Sequence, residues 1–520
     1  MRTAKRILLA CTAMAAVASS ACAADRPVVS PTWAPPTAPA CTSAKDFRDT
    51  DCSLTWYGIT LYGTYDVGVG YVTHGLPENA YNYEGESLIS RNGNHPQWLI
   101  APNNLSQTGL GIKGKEELWD GWSAVFNAST GINPQSGQLA NALATSAINA
   151  GLPRSSYSAV VDGARAGQTF NDEIYAGPSS SFWGTLTFGR QRSLGLDTVI
   201  AYDPAGGANS FSFIGYNGLT AGGGTTQDSR WDDAIKYRVT WGQLHFGAMY
   251  KFVNGSGGCF SASAAWTSAN CTPEQPHNNA YGFDLGGEYG NFAGDVVFQR
   301  YNQAVSVVNP LLGPQSLTQP YQSTTNSINQ HPITGGAAAN LIGTTNTVYG
   351  FVTDNTALMV AGKYTWNPFK FFGGYEYIHM ANPADPLGIG ATAQGDYVLS
   401  GIEDNSLDST KILQVAWTGV KYAFNSKTDL TFSYYHMWQN DYRVPSTCSG
   451  AAGLRTSCAG TLDEVSFYAD YHFTKRFEAF AGIAYSWVTG GLAIAIPHAP
   501  GVPYFANNNL APTTGVRFTF

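Results

Sequence analysis

Between Gly189-Arg190-Gln191 and Arg230 runs a long stretch rich in Gly, Asn, Ser and Thr that holds Asp197, Asp203 and Asp228. A connection of that length is rare in a compact domain unless it serves a function. Carboxylates between flanking arginines suit electrostatics rather than bond-making. Set on facing walls of a narrow passage with low-dielectric sides, they create a transverse field in which polar solutes reorient and apolar ones are held back. Rings of such charges also bias which ions pass. The expectation is that this stretch folds into a barrel and narrows a water-filled channel, with Arg190, Arg230, Asp203, Asp197 and Asp228 at the constriction.

Covalent chemistry finds less support. Gly109-Leu110-Gly111-Ile112-Lys113-Gly114 spells a dinucleotide fingerprint, but it lies in an alternating strand without the strand-to-helix context such a site needs. The nine histidines are scattered without ligand spacing, and no catalytic constellation stands out. The reading is therefore not an enzyme, with no cofactor and no metal. Past the first residues, six cysteines fall in close pairs: Cys41 and Cys52, Cys259 and Cys271, Cys448 and Cys458. In an exported chain an even count points to disulfides, and local pairing is the simplest connectivity. Zinc is the rival, but the C-x₂₋₄-C spacing and neighbouring histidines are missing.

Composition fixes the class of element that must position these groups. The chain has 520 residues with 58 Gly, 29 Tyr, 26 Phe and 13 Trp, and only 12% of it is charged, against roughly 25% in ordinary soluble domains. Mean hydropathy is −0.15, and beyond the start no apolar run is long enough to cross a bilayer as a helix. Many aromatics without helical spans suit a transmembrane β-barrel, in which lipid-facing and water-facing residues alternate and cancel in any window. Residues 1–24 have the basic, apolar and small-residue parts of a secretory signal peptide, ending Ala21-Cys22-Ala23-Ala24. A lipoprotein anchor at Cys22 is the weaker alternative, because Ser19 and Ser20 depart from a lipobox. Cleavage would remove Arg2, Lys5 and Arg6 and take the formal charge from −8 to −11. That acidic balance gives no support to nucleic-acid binding.

Residues 25–53, with Pro27, Pro31, Pro35, Pro36 and Pro39, read as an extended periplasmic leader. From Leu54 onward period-two alternation predicts sixteen strands, near 54–71, 105–117, 121–131, 170–177, 183–190, 230–241, 243–252, 279–289, 291–303, 356–366, 368–380, 410–424, 428–440, 462–474, 476–488 and 509–520. The twelfth alternates poorly. Tight turns such as Trp241-Gly242-Gln243 follow the even strands and long loops follow the odd ones, the asymmetry of an outer-membrane barrel. The cysteine pairs 259/271 and 448/458 fall in long outer loops, where each would staple an exposed hairpin. Sixteen strands leave an aqueous lumen. The parity opposite the apolar one carries Asp66, Lys113, Lys115, Asp232, Lys236 and Arg238 as lumen residues, along with Lys251, Asp284, Asp295, Lys363, Glu376 and Asp470. These charges nearly balance. Arg190 shares parity with outward Leu186 and Phe188, so a bulge must turn it inward. Trp56, Tyr57, Trp241, Trp366 and Trp487 near strand ends read as an interfacial girdle.

Several strings resemble the Gram-negative general porin family. Ser53 to Gly63 resembles its opening strand, and Gly111-Ile112-Lys113-Gly114-Lys115-Glu116-Glu117-Leu118 its second-strand motif. Phe188-Gly189-Arg190-Gln191 resembles the approach to its third loop, and the terminal Phe520 its assembly signal. Cys41 to Gly63 is similar to alphaproteobacterial members. The resemblance spans most of 54–520. It implies an all-β, 16-stranded antiparallel transmembrane β-barrel with an inward-folded loop 3, assembled as a homotrimer by the barrel assembly machinery among outer-membrane lipid and lipopolysaccharide. The implied function is passive diffusion of small hydrophilic solutes and ions; a sugar- or anion-selective channel is the alternative, and an adhesin using loops 304–355 and 380–409 a more distant one. Arg190 and Arg230 match constriction positions of the family. A further family arginine would align with Gly109, and the family's Pro-Glu-Phe-Gly-Gly string is replaced here by Asp203-Pro204-Ala205-Gly206-Gly207.

Overall fold

The structure, a computed structural model, describes residues 39–76, 96–132, 169–216, 229–253, 277–308, 349–387, 401–404, 409–442, 457–493 and 507–520, with a few positions between. Alternation of apolar and small or polar residues gives each strand one face for an apolar surround and one for the interior. The sixteen long strands are β1 (Ile59–Val72), β2 (Gly109–Trp119), β3 (Trp122–Gly131), β4 (Glu173–Ser180), β5 (Gly184–Arg192), β6 (Arg230–Trp241), β7 (Leu244–Lys251), β8 (Ala280–Tyr289), β9 (Phe292–Val308), β10 (Tyr349–Trp366), β11 (Phe369–Ala381), β12 (Lys411–Asn425), β13 (Thr428–Gln439), β14 (Gly460–His472), β15 (Phe477–Val488) and β16 (Asn508–Thr519). Each pairs antiparallel with the next, and β16 returns to β1 with Gly70 opposite Thr513 and Thr64 opposite Thr519. The barrel is closed, so among the described residues each of the sixteen strands has a neighbour on both sides. Every predicted strand has its counterpart.

The loop asymmetry holds as well. Turns after even strands are tight, with Gly242 at φ 63° and Gly290 at φ 60°, a region glycine enters without steric cost. Exposed aromatics cluster at this end, among them Trp56, Tyr57, Trp119, Trp183, Trp241, Tyr289 and Trp366, as an interfacial belt requires. Most of 304–355 and part of 380–409 lie outside the described residues.

Two stretches depart from expectation. The second predicted strand begins at Gly109 rather than Leu105, and a separate strand, Gln97–Pro102, pairs with the upper half of β1. Asp66 staples the break between them, its carboxylate accepting from Asn104 N and Nδ2 and from the amides of Leu105 and Ser106. Asp66 is fully buried, so it does not line open water. The end of the Pro-rich leader is also not extended. Residues 39–53 form a lobe closed by the Cys41–Cys52 disulfide around α1 (Ala44–Asp49). Ser43 caps that helix by accepting from Asp46 N at 3.1 Å. The lobe docks on the β14–β15 turn. The Arg476 guanidinium lies 3.9 Å from the Phe47 ring and donates to the carbonyls of Phe47 and Cys52. Lys475 pairs with Asp51 at 2.8 Å. Cys458 is disulfide-bonded, while Cys259, Cys271 and Cys448 lie outside the described residues.

Candidate functional site

The β5–β6 connection opens where β5 leaves regular pairing. The register shifts between Gly189 and Gln191, and Gly189 takes φ 125°. The bulge anticipated here exists, with a different result. Gln191 lines the interior cavity, whereas Arg190 is buried in an ion pair with Asp232 at 2.6 Å and donates twice to the Asn171 carbonyl. Beyond the bulge, Ser193 caps α2 (Leu194–Tyr202), accepting from Leu196 N at 3.1 Å. A short turn of helix, α3 (Phe213–Tyr216), follows.

Between them these residues reach many strands. Gly195 N donates to Gln299, the Tyr202 hydroxyl to Asp295 at 3.0 Å, and the Trp417 indole to the Tyr202 carbonyl at 3.0 Å. Ser210 donates to Asn104, the Phe211 carbonyl accepts from Ser466, and the Phe211 ring stacks on Tyr468. Every strand partner among these has the parity opposite to exposed Val296, Phe432 and Phe467. Leu194, Val199, Tyr202, Phe213 and Ile214 join Met359, Ile378, Leu413, Val415, Trp417, Tyr435 and Met437 in one apolar cluster. The inward parity over β10–β13 is thus apolar rather than polar, which the alternation did not anticipate.

The opposite wall is polar. A cavity of about 470 Å³ is lined by Lys115, Ser123, Glu173, Tyr175, Thr187, Gln191, Lys236 and Arg238. Asp197, from α2, accepts from Lys236 at 2.6 Å and from Arg238. Toward the long loops, just before β4, Asp172 is shared by Arg192 at 2.9 Å and Arg230 at 2.7 Å. Burial pushes Asp172 up, but the two guanidiniums outweigh it and hold the carboxyl well below its usual range. Lys115 pairs with Glu117 at 2.7 Å, and Lys113 lies over the Tyr62 ring.

The predicted residues therefore separate. Asp197, Lys236 and Arg238 meet at the cavity, and Arg230 stands close to it. Asp203 is only 2% exposed and holds the connection's own turn, accepting from Tyr435 at 2.6 Å and from the amides of Ala205 and Gly207. Burial raises its carboxyl above the ordinary range against those hydrogen bonds. Asp228 lies outside the described residues. Arg192, Asp172 and Glu173 were missed. The available signal was the second arginine of Arg190-Gln191-Arg192 and the carboxylate pair Asp172-Glu173 at the start of β4.

A family profile described as Gram-negative porin matches residues 10–490. A curated relative, an outer membrane porin protein of Bordetella pertussis, is 25% identical over 195 residues, covering 37% of this chain and 42% of that protein. Among solved structures, the anion-selective porin from Comamonas acidovorans aligns with a TM-score of 0.53 at 13% identity, over 89% of this chain and 99% of that one.

Proposed function

The chain belongs to the Gram-negative porin family, and on that premise we propose a homotrimeric outer-membrane channel for passive diffusion of small hydrophilic solutes and ions. The β5–β6 connection lies within the barrel and forms its constriction. What carries this reading is the partition of the connection's contacts. Its apolar side chains pack on the β10–β13 wall, while its carboxylate Asp197 meets Lys236 and Arg238 across the polar cavity. All of its strand partners belong to the parity turned away from the exposed aromatics. Solutes would then pass along the remaining polar half, beside Lys115, Arg192, Arg230, Lys236 and Arg238. Two cations share Asp172 and two share Asp197, so the local balance leans slightly positive and the channel weakly favours anions.

Planar-bilayer conductance and reversal potential in a salt gradient test this. The parent chain should give ohmic steps that do not saturate with sugar or anion. Asp197→Asn leaves Lys236 and Arg238 uncompensated beside the path. A charge a few ångströms from the permeating ion, partly screened, favours an anion and opposes a cation by about 1 kcal/mol each, so the anion-to-cation permeability ratio should rise by roughly tenfold or more. An unmoved reversal potential would remove Asp197 from the constriction, and a folded chain that forms no conducting steps would remove the channel.

A further inference from the structure

We propose that His245, Asp284 and Asp295 form a binding site for a divalent transition-type cation on the inner wall of β7, β8 and β9. The register brings them together from three adjacent strands. His245 and Asp295 both stand opposite Gly286 of β8, one on either side, and Asp284 lies two residues further along β8 on the same face. One ligand atom from each falls within 4.8 Å of the others. His245 Nε2 is 3.0 Å from an Asp295 oxygen and 3.8 Å from an Asp284 oxygen. Ligand atoms around a tetrahedral zinc, each about 2.1 Å from the metal, sit roughly 3.3 Å apart, so the observed spacings bracket what a small cation needs.

Two further observations point to a ligand. Asp284 is 5% exposed, and its Oδ1 has no hydrogen-bond partner among the described residues. A buried carboxylate left in that state is costly unless a cation meets it, and the nearby Lys236 and Arg238 are already held by Asp197. Gly286 supplies the room, because a methyl group there would collide with both Asp295 Oδ1 and His245 Nε2. One imidazole and two carboxylates favour zinc-like ions over magnesium or calcium, which prefer all-oxygen shells. The Tyr202 hydroxyl donates to Asp295 at 3.0 Å, orienting that carboxylate as outer partners of metal ligands do. It also ties the site to α2.

A second cluster, Asp470, His472 and Glu478, also holds a buried carboxylate oxygen without a partner among the described residues, Asp470 Oδ1, but its other two ligands are more fully occupied. Both ring nitrogens of His472 are engaged, by Glu478 and Asp429, and Glu478 also pairs with Arg517. It serves as the internal control.

The test is titration of the tag-free, detergent-solubilised full chain with zinc chloride, followed calorimetrically, with magnesium chloride as the contrast. One zinc per chain is expected, undisplaced by millimolar magnesium. His245→Ala and Asp284→Asn should each weaken binding about tenfold or more, Gly286→Ala should weaken it too, and His472→Ala should leave the zinc site intact. Absence of stoichiometric binding to the parent chain overturns the proposal without any variant. So does binding that survives both His245→Ala and Asp284→Asn in protein that keeps its β-sheet circular dichroism, or that is lost only in His472→Ala.

Discussion

The Asp66 carboxylate spends its acceptor capacity on four donors from residues 104–106, at 2.7 to 3.0 Å. Asp66→Ala would leave those buried donors unsatisfied. Hydrogen bonds to a charged group contribute about 1.5–3 kcal/mol each and are not additive, so a loss of roughly 3–5 kcal/mol is expected. The urea midpoint of refolded barrel should fall while ion selectivity stays put; a shifted reversal potential with unchanged stability would restore Asp66 to the conducting path. Strand parity revealed which face each charge occupies. It could not reveal whether water reaches that face, because the groups that decide lie far off in sequence. Asn104 is 38 residues from Asp66, and Lys236 is 39 from Asp197. The same blindness hid that Asp284 and Asp295, both legible as inward by parity, meet His245, since spacing along one strand says nothing of groups brought together from three.

At the scale of elements, β12 alternated poorly because apolar side chains occupy both faces, while polar Gln414 and Thr418 fall on the outward one and Lys421 on the inward one. Ala416 and Val420 of one set interleave with buried Leu413, Val415 and Trp417 of the other, and the second set packs against α2. Helix α2 was hidden for a related reason. Leu194, Val199 and Tyr202 are buried and so are the polar Asp197 and Thr198, so no single apolar stripe marks it. The leader's proline content likewise masked the lobe at 39–53, whose order depends on the distant Arg476. Trp417 is the joint between wall and connection. Trp417→Ala removes its indole hydrogen bond to the Tyr202 carbonyl and opens a cavity, a loss of about 3–5 kcal/mol for a buried aromatic. Because the barrel ladders remain, the far-UV spectrum should be kept while single-channel current becomes larger and noisier as α2 detaches. Quiet, parent-sized steps from Trp417→Ala would mean that this packing does not hold the constriction.

For the whole molecule, the outer surface is not uniform around the barrel. Over β8–β15 it presents Phe283, Leu285, Val296, Leu358, Tyr364, Phe371, Phe432 and Phe467, large side chains suited to acyl chains. Over β3 and β4 the same outward parity carries Ala124, Ala176 and Pro178 between Trp122, Phe126 and Ile174, with Ala124 opposite Pro178 and Phe126 opposite Ala176, so a shallow patch of small residues sits among larger ones. Small residues give lipid little to grip but let another protein surface approach closely, and packing rather than hydrophobicity drives association inside a membrane. If the proposed homotrimer forms, this is the face best shaped for it. A bulky side chain there should prevent close approach, so Ala176→Trp should migrate as a monomer on unheated gels and sediment as one in detergent, with conductance steps arriving singly rather than in threes. Phe283→Ala, on the lipid side, should leave the trimer intact. Trimers that survive Ala176→Trp but dissociate with Phe283→Ala would move the subunit contact to the opposite side of the barrel.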